Sequence, residues 1–298
     1  MLLQTFLDYL RFERNASQRT QNEYRDDLIA FRKFFKELDS TMTWQTVDAD
    51  VIREWIVNMM ERGHKASSVQ RRLSAVKSCY RFLLSRGLVE KNPSRALTAP
   101  KKERPLPAFV QEDEMNRLLD SEQAFDQNFQ GQRNRLIIAM FYETGLRLSE
   151  LVGLDLQDID NTARMLKVRH GKGNKQRIVP FGDELLHLIY IYISERKRQQ
   201  AVKATDTQAL FLSRDGRRIS PQAVQRIVKQ KLGLVTFQKK RSPHVLRHSF
   251  ATSMLNHQAN LESVKELLGH SKLQTTEIYT HITFEELKKA YHDAHPRA

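Results

Sequence analysis

The sequence predicts a mainly α-helical chain of two domains: an all-α N-terminal domain, then an α+β domain whose helices surround a small β-hairpin. Three observations carry this. Apolar residues recur at helical spacing along most of the chain, with glycines as stops. The stretch Asn92 to Pro107 holds four prolines together with Lys101, Lys102 and Arg104. Two short β-like runs flank one glycine-rich turn, Gly171-Lys172-Gly173-Asn174-Lys175. A length of 298 residues is enough for two cores.

In the first domain, residues 1–92, Leu3, Phe6, Leu7 and Leu10 mark one face of a helix reaching about Arg14. Ser17 or Thr20 caps a second helix carrying Tyr24, Leu28, Phe31, Phe34, Phe35 and Leu38. A third runs from about Asp48 to Arg62 with Val51, Trp55, Ile56 and Met59 inward, and Gly63 stops it. The fourth starts at Ser67 or Ser68, places Val69, Leu73, Val76, Tyr80 and Leu83 inward, and ends at Gly87. Four helices with short joints form a small bundle. The fourth also bears Arg71, Arg72, Lys77 and Arg81, with Lys65 ahead of it. Such a run is ordinarily a solvated face, but the scarcity of local acids points to a surface for a polyanion.

Residues 93–107 read as an extended linker, because proline removes backbone donors and restricts the residue before it. Its charge suggests that it crosses phosphates. The second domain, residues 108–298, resumes with helices at about Gln111–Leu119 and Arg133–Thr144; Gly145 stops the latter and Arg147 opens a short one. Met165–Val168 and Arg177–Pro180 form the hairpin, and a helix from about Glu184 to Arg198 follows. Leu210-Phe211-Leu212 is a candidate strand and Gln222 to Lys231 a further helix.

The formal net charge of +14 and pI near 9.9 call for a polyanionic partner, with nucleic acid first and a membrane surface second. No run of about 18 apolar residues supports the membrane reading. The start, Met1 to Asp8, has no basic segment of a signal peptide. One cysteine, Cys79, excludes an internal disulfide and fits a reducing cytoplasm; its neighbours Val76, Tyr80 and Leu83 make it a buried structural thiol. There is no Cys/His or acidic cluster for a metal and no Gly-x-x-x-x-Gly-Lys-Ser/Thr loop for a nucleotide. No metal and no cofactor are expected.

Chemistry concentrates in the last quarter. Ser242-Pro243 begins a helix, which sets His244 in its first turn, where free N–H groups favour an anion, with Arg247 three residues on. Gly269 ends a helix, so His270 falls on the turn that leaves it, and Tyr279 follows after a short segment. Two imidazoles, a guanidinium and a phenol can meet at one phosphate. Singly, each has an ordinary role: Tyr279 as a packed aromatic, His270 and Arg147 as caps, Lys172 as a solvated tip.

His244-Val245-Leu246-Arg247-His248, then Leu268-Gly269-His270, then Tyr279-Thr280-His281 resembles the signature of the tyrosine site-specific recombinases, the phage integrase family. Arg147 in Thr144-Gly145-Leu146-Arg147 and Lys172 in the glycine-rich turn complete that pattern in order. The similarity spans essentially the whole chain and is greatest to the bacterial Xer recombinases. It implies a two-domain, C-shaped DNA clamp whose SAM-like four-helix N-terminal domain binds the core site. It implies Tyr279 as nucleophile, Arg147 and Arg247 on the phosphate, Lys172 as general acid, and His244 taking or returning the tyrosine proton. His270 bonds the phosphate, Glu150 orients a base or an arginine, and His248 is structural. DNA contacts are expected at Lys65, Arg71, Arg72, Lys77, Arg81, Lys101, Lys102, Arg104 and Lys175.

The activity implied is metal- and ATP-independent cutting and rejoining of DNA through a 3′-phosphotyrosyl link, in a cytoplasmic, nucleoid-associated enzyme. A Xer-type role would resolve chromosome dimers, with a sister recombinase in a DNA-bound tetramer and a septal DNA translocase as partners. An integrase of a mobile element is the alternative, disfavoured because the chain leaves no room for an arm-binding domain; a type IB topoisomerase and a non-catalytic DNA-binding protein rank below it. Phe284, Leu287 and Tyr291 form an apolar stripe that is expected, by the family's habit, to dock on a neighbouring protomer.

Overall fold

Several helices begin where a side chain takes up free N–H groups of the first turn, as at Ser17, Asp48, Asn128, Ser220 and Asn260. The computed structural model describes residues 2–101, 108–169, 176–200, 208–269 and 284–298. They belong to two compact units, Met1–Pro105 and Leu106–Ala298.

In the first unit, α1 (Leu2–Asp8) passes into a π-helical turn, Tyr9–Glu13, instead of running on to Arg14 as one helix. Ser17 caps α2 (Gln18–Leu38), its hydroxyl accepting the Thr20 N–H at 3.2 Å. Asp48 caps α3 (Ala49–Glu61) by accepting from the Asp50 and Val51 N–H groups. α4 (Ala66–Ser85) starts after Lys65 without a side-chain cap, and Gly63 and Gly87 take the left-handed backbone at the joints. The core is aromatic: Phe31 lies 4.8 Å from Trp55, and Trp44 packs between Phe35 and Tyr80 at 5.4 and 5.9 Å. Cys79 is buried there, as its neighbours predicted, and burial pushes its thiol up to about 12.

The first part of the expected linker is folded onto this unit. The Asn92 carboxamide accepts the Ser94 N–H at 3.0 Å, turning the chain. Leu97 enters the core, Lys77 donates to its carbonyl at 2.6 Å, and Gln70 donates to that of Pro100 at 2.9 Å. Proline fixes φ without forbidding a turn, and an apolar residue between prolines is free to find a core. Lys102 and Arg104 lie outside the described residues.

In the second unit, α5 (Glu112–Asp120) is followed by α6 (Phe129–Thr144), which starts earlier than expected because Asn128 caps it, accepting from Gly131 at 3.0 Å. Every residue of α6 from Leu136 to Thr144 is buried, so this helix is the axis of the unit. α7 (Leu148–Gly153) leads to a three-stranded antiparallel sheet in the order β1 (Ile159–Asp160), β2 (Met165–Val168), β3 (Arg177–Pro180). The hairpin pairs Leu166 with Val179 and Val168 with Arg177; β1 was not foreseen. Leu210-Phe211-Leu212 is buried but is no strand, its neighbourhood holding only the single bridges Asp155–Ala209 and Leu212–Arg218.

The helices α8 (Asp183–Gln200), α9 (Pro221–Leu232), α10 (Pro243–Asn256), α11 (Leu261–Leu268) and α12 (Phe284–Ala294) complete the unit. α12 corrects the expectation for the tail. Leu287, Tyr291 and Ala294 are buried in the unit's own core, and the His295 ring stacks on Tyr291 at 5.1 Å. Arg297 pins the end by donating to Asp120 at 2.8 Å. A short helix must dock somewhere, and here the nearest apolar floor is its own unit's. No helix among the described residues is long and apolar enough to cross a membrane.

Candidate active site

The site is built at the end of a helix. α11 stops at Gly269, whose left-handed φ of +63° turns the chain and leaves the last carbonyls of the helix without helical partners. Three consecutive carbonyls there each accept from a different arginine. Arg177 Nε donates to Leu267 at 2.8 Å, Arg247 Nη2 to Leu268 at 2.6 Å and Arg147 Nη2 to Gly269 at 2.8 Å. Positive groups also suit the negative end of the helix dipole.

Local sequence brings the three to one place. Gly145 ends α6 in the left-handed region at φ +60°, and a Cβ there would meet the Phe250 ring at 2.6 Å and Leu268 at 2.8 Å. Only glycine lets the chain pass so close to α10 and α11. The Gly145 carbonyl then accepts from Arg247 Nη1 at 2.6 Å. Two residues later, Arg147 precedes α7 and is locked by Glu150 from the first turn: its N–H meets one carboxylate oxygen at 2.8 Å and its Nη1 the other at 2.7 Å. Arg177, the first residue of β3, completes the pair by donating Nη1 and Nη2 to the two Glu150 oxygens, both at 2.8 Å.

Three guanidiniums thus face one carboxylate in a mostly buried place. Burial works to raise the Glu150 carboxyl, but the hydrogen bonds and charge of Arg177 and the bonds from Arg147 outweigh it and hold it at about 2. Burial, together with the charges of Arg147 and Arg177, draws Arg247 down to about 10, so it remains charged at neutral pH. Among the described residues, Arg147 and Arg247 each commit two of their five N–H donors to the protein, leaving donors for an anion.

Of the residues anticipated in the sequence, Arg147, Arg247 and Glu150 converge. His244 lies in the first turn of α10 but is exposed, whereas Arg247 is buried. The two residues, three apart on α10, are therefore split between surface and core. His248, expected to be structural, is exposed one turn beyond His244. Ser242 occupies the N-cap position but its side chain makes no capping bond. Lys172, Lys175, His270 and Tyr279 lie outside the described residues, between Arg169 and Gln176 or between Gly269 and Phe284.

The expected DNA contacts divide. Lys65, Arg81 and Lys101 are exposed. Arg71 forks onto the buried Asp27, with Nη2 at 3.0 Å, and Arg72 Nε approaches the same carboxylate at 3.6 Å. Lys77 is held by the Leu97 carbonyl. These three cations have partners inside the first unit. An acid-free stretch was also missed: from Gly216 to Leu261 there is no Asp or Glu and there are nine Lys and Arg. It covers α9, α10 and the loop between them, where Phe237 stands fully exposed beside Lys239 and Lys240. Arg177 was read only as part of a strand. Period-2 alternation places it on the face of the buried Val179, and an arginine facing inward was the signal.

Residues 108–286 match the Phage integrase family, and residues 3–87 match its N-terminal SAM-like domain (Phage integrase, N-terminal SAM-like domain). The chain is 40% identical to tyrosine recombinase XerC of Chlorobaculum tepidum, over 98% of this chain and 94% of that protein. It is 35% identical to tyrosine recombinase XerD of Oceanobacillus iheyensis, over 99% and 98%. Among solved structures, the Tn1549 transposon integrase bound to transposon right end DNA is similar in fold, with a TM-score of 0.71 at 21% identity, covering 97% of both chains. So is the XerH recombinase bound to palindromic difH, with a TM-score of 0.70 at 23% identity over 93% of this chain and 80% of that one. The buried arginines around Glu150 sit inside the region matched across the family, and the chain belongs to the phage integrase family, that of the tyrosine site-specific recombinases.

Proposed function

We propose that the chain cuts and rejoins DNA through a covalent 3′-phosphotyrosyl intermediate, with the scissile phosphate bound at the arginine cluster. The observation that carries this is the buried excess of guanidinium over carboxylate at the end of α11, which an anion would balance. Phosphate oxygens match the fork of Arg147 and of Arg247. The nucleophile assigned is the Tyr279 phenol: its oxygen bonds to phosphorus as the bond to the 5′-oxygen breaks. Lys172, five residues before Arg177 in the sequence, delivers the proton to the leaving 5′-oxygen. His244 takes the tyrosine proton and returns it on resealing, and His270 adds a hydrogen bond to the phosphate. No energy source is needed, because the phosphotyrosyl bond keeps the energy of the linkage that it replaces. The acid-free stretch from Gly216 to Leu261, with exposed Lys65 and Arg81 on the first unit, supplies counter-charge to the duplex.

The near full-length similarity to proteins named XerC and XerD supports a Xer-type role, resolving chromosome dimers together with a sister recombinase in a DNA-bound tetramer and a septal translocase. The test is a nicked suicide substrate resolved on a denaturing gel. The wild-type chain forms a covalent band in excess chelator; Tyr279→Phe binds DNA and forms none. A 5′-bridging phosphorothiolate, whose leaving group needs no proton, restores cleavage to Lys172→Ala and not to Arg247→Ala. A band from Tyr279→Phe would mean another nucleophile, and equal rescue of both variants would remove Lys172 from the acid role.

A further inference from the structure

We propose that Arg177 is a positioning residue for strand cleavage, which clamps Glu150, and through it Arg147, to the end of α11. This rests on the cleavage reading above and goes beyond it, because Arg177 belongs to no part of the signature.

Its three nitrogens all point into the protein. Nη1 and Nη2 take both oxygens of Glu150, and Nε takes the Leu267 carbonyl, each at 2.8 Å. Unlike Arg147 and Arg247, it therefore has its fork committed to one carboxylate and is not placed to grip a phosphate. What it holds are the parts that do. Each Glu150 oxygen is shared: Oε1 accepts from Arg147 Nη1 and Arg177 Nη1, Oε2 from the Arg147 N–H and Arg177 Nη2. The carboxylate is thus pinned from two sides and in turn fixes the Arg147 guanidinium.

The same side chain links two further elements. Arg177 pairs with Val168 as the last pair of the β2–β3 ladder, the one nearest in sequence to Lys172. It also lies against Gly269, where an added Cβ would come within 3.1 Å of Arg177 Cδ, at the point from which the chain leaves for His270. One guanidinium therefore joins the turn end of the β2–β3 ladder, the α7 carboxylate and the α11 terminus. A lysine cannot do this, since a single ammonium lacks the planar fork that spans both carboxylate oxygens and a carbonyl.

The test uses the full chain in single-turnover cleavage of the suicide substrate, with a thermal melt and a single-site gel shift alongside. The variants are Arg177→Lys, Arg177→Met, and Arg177→Met combined with Glu150→Gln. The double variant removes both charges of the clamp, so it leaves no carboxylate buried with too few partners and is expected to fold. All three bind DNA like wild type and cleave on the order of 10²-fold more slowly, the scale of a displacement of about 1 Å at the reacting groups. The pH profile separates positioning from mere folding. The charged groups facing Glu150 are Arg147, Arg177 and Arg247. With Arg177 gone, burial acts on Glu150 with less opposition and its carboxyl rises from about 2, so Arg177→Met loses further activity relative to wild type as pH falls, whereas the profile of the double variant keeps the wild-type shape. Cleavage by Arg177→Lys or Arg177→Met within about threefold of wild type, with an unchanged profile, would overturn the proposal. So would a loss of cleavage matched by equal losses of melting temperature and DNA binding in the double variant. Absence of a covalent adduct from the wild-type chain would sink the cleavage reading itself.

Discussion

Truncating the C-terminal helix discriminates between a tail that serves its own unit and one that serves a neighbour. Leu287 keeps 8% of its surface exposed at the edge of the core, while Tyr291 is wholly buried and stacked on His295. Buried Leu→Ala costs about 2–5 kcal/mol, and the rim position of Leu287 places it near about 2. Loss of a fully buried aromatic costs about 3–5 kcal/mol, and Tyr291 is expected near about 4. The two are neighbours one turn apart, so their effects overlap and Leu287→Ala with Tyr291→Ala should cost about 5 kcal/mol together. At about 2–4 °C per kcal/mol for a unit of this size, the melting temperature of the second unit falls by about 10–20 °C. Circular dichroism melts of the full chain, with gel shifts on one-protomer and two-protomer sites, measure both consequences. Unchanged melting together with lost cooperative binding would refute the argument and place the helix on a neighbouring protomer.

Gly145→Ala should cost about 3 kcal/mol, combining a left-handed alanine with overpacking against Phe250 and Leu268, and should also slow cleavage, because the Gly145 carbonyl anchors Arg247; thermal melts and adduct gels test it. The Glu150 carboxyl is depressed in the folded chain, so the stability it supplies is complete above its unfolded pKa of about 4.3 and is lost as pH falls toward about 2. Acid titrations should show that contribution, about 3 kcal/mol in wild type, missing from Glu150→Gln. Lys65→Ala with Arg81→Ala should lower the slope of log affinity against log salt by about 0.9 for each phosphate that is no longer neutralised. Arg71→Ala should leave that slope alone and lower the melting temperature, since it withdraws a partner from the buried Asp27 at about 1–3 kcal/mol.

Helix existence was legible in two ways: 3.6-residue periodicity imposed by burial marks α2, α3, α4 and α9, and caps or glycine stops mark α10 and α11. Boundaries set by an unrecognised cap were not: Asn128 starts α6 one turn before the apolar run begins. β1 has two residues, too short to show alternation. That Arg147 and Arg247 come together was legible because their neighbours fall into a known order. Arg177 was not, since its partners Glu150 and Leu267 lie 27 and 90 residues away and nothing local marks the pairing. The pairing of Arg71 and Arg72 on α4 was hidden for a related reason. Their counter-charge, Asp27, sits 44 residues upstream of Arg71, so counting local acids missed it. The tail failed differently: amphipathic spacing reports that a face must be covered, and does not say by whom.

The use of main-chain carbonyls as the seat of this site has a physical consequence for catalysis. A guanidinium waiting for a phosphate could be held by carboxylates, but each such pair would cancel the charge that the phosphate needs. The carbonyls of Gly145, Leu267, Leu268 and Gly269 hold three guanidiniums in place and cancel none of it. They are fixed by the backbone of a helix end and a glycine turn, so they do not rotate away as side chains do. One carboxylate, Glu150, is then enough to orient two of the arginines, and the remaining positive charge stays available. Electrostatic stabilisation of a transition state depends on donors that are oriented before charge develops, since reorganisation during the reaction is what water must do and an enzyme avoids. By that criterion the arginines to which the proposed mechanism assigns the scissile phosphate are already oriented in the folded chain without DNA.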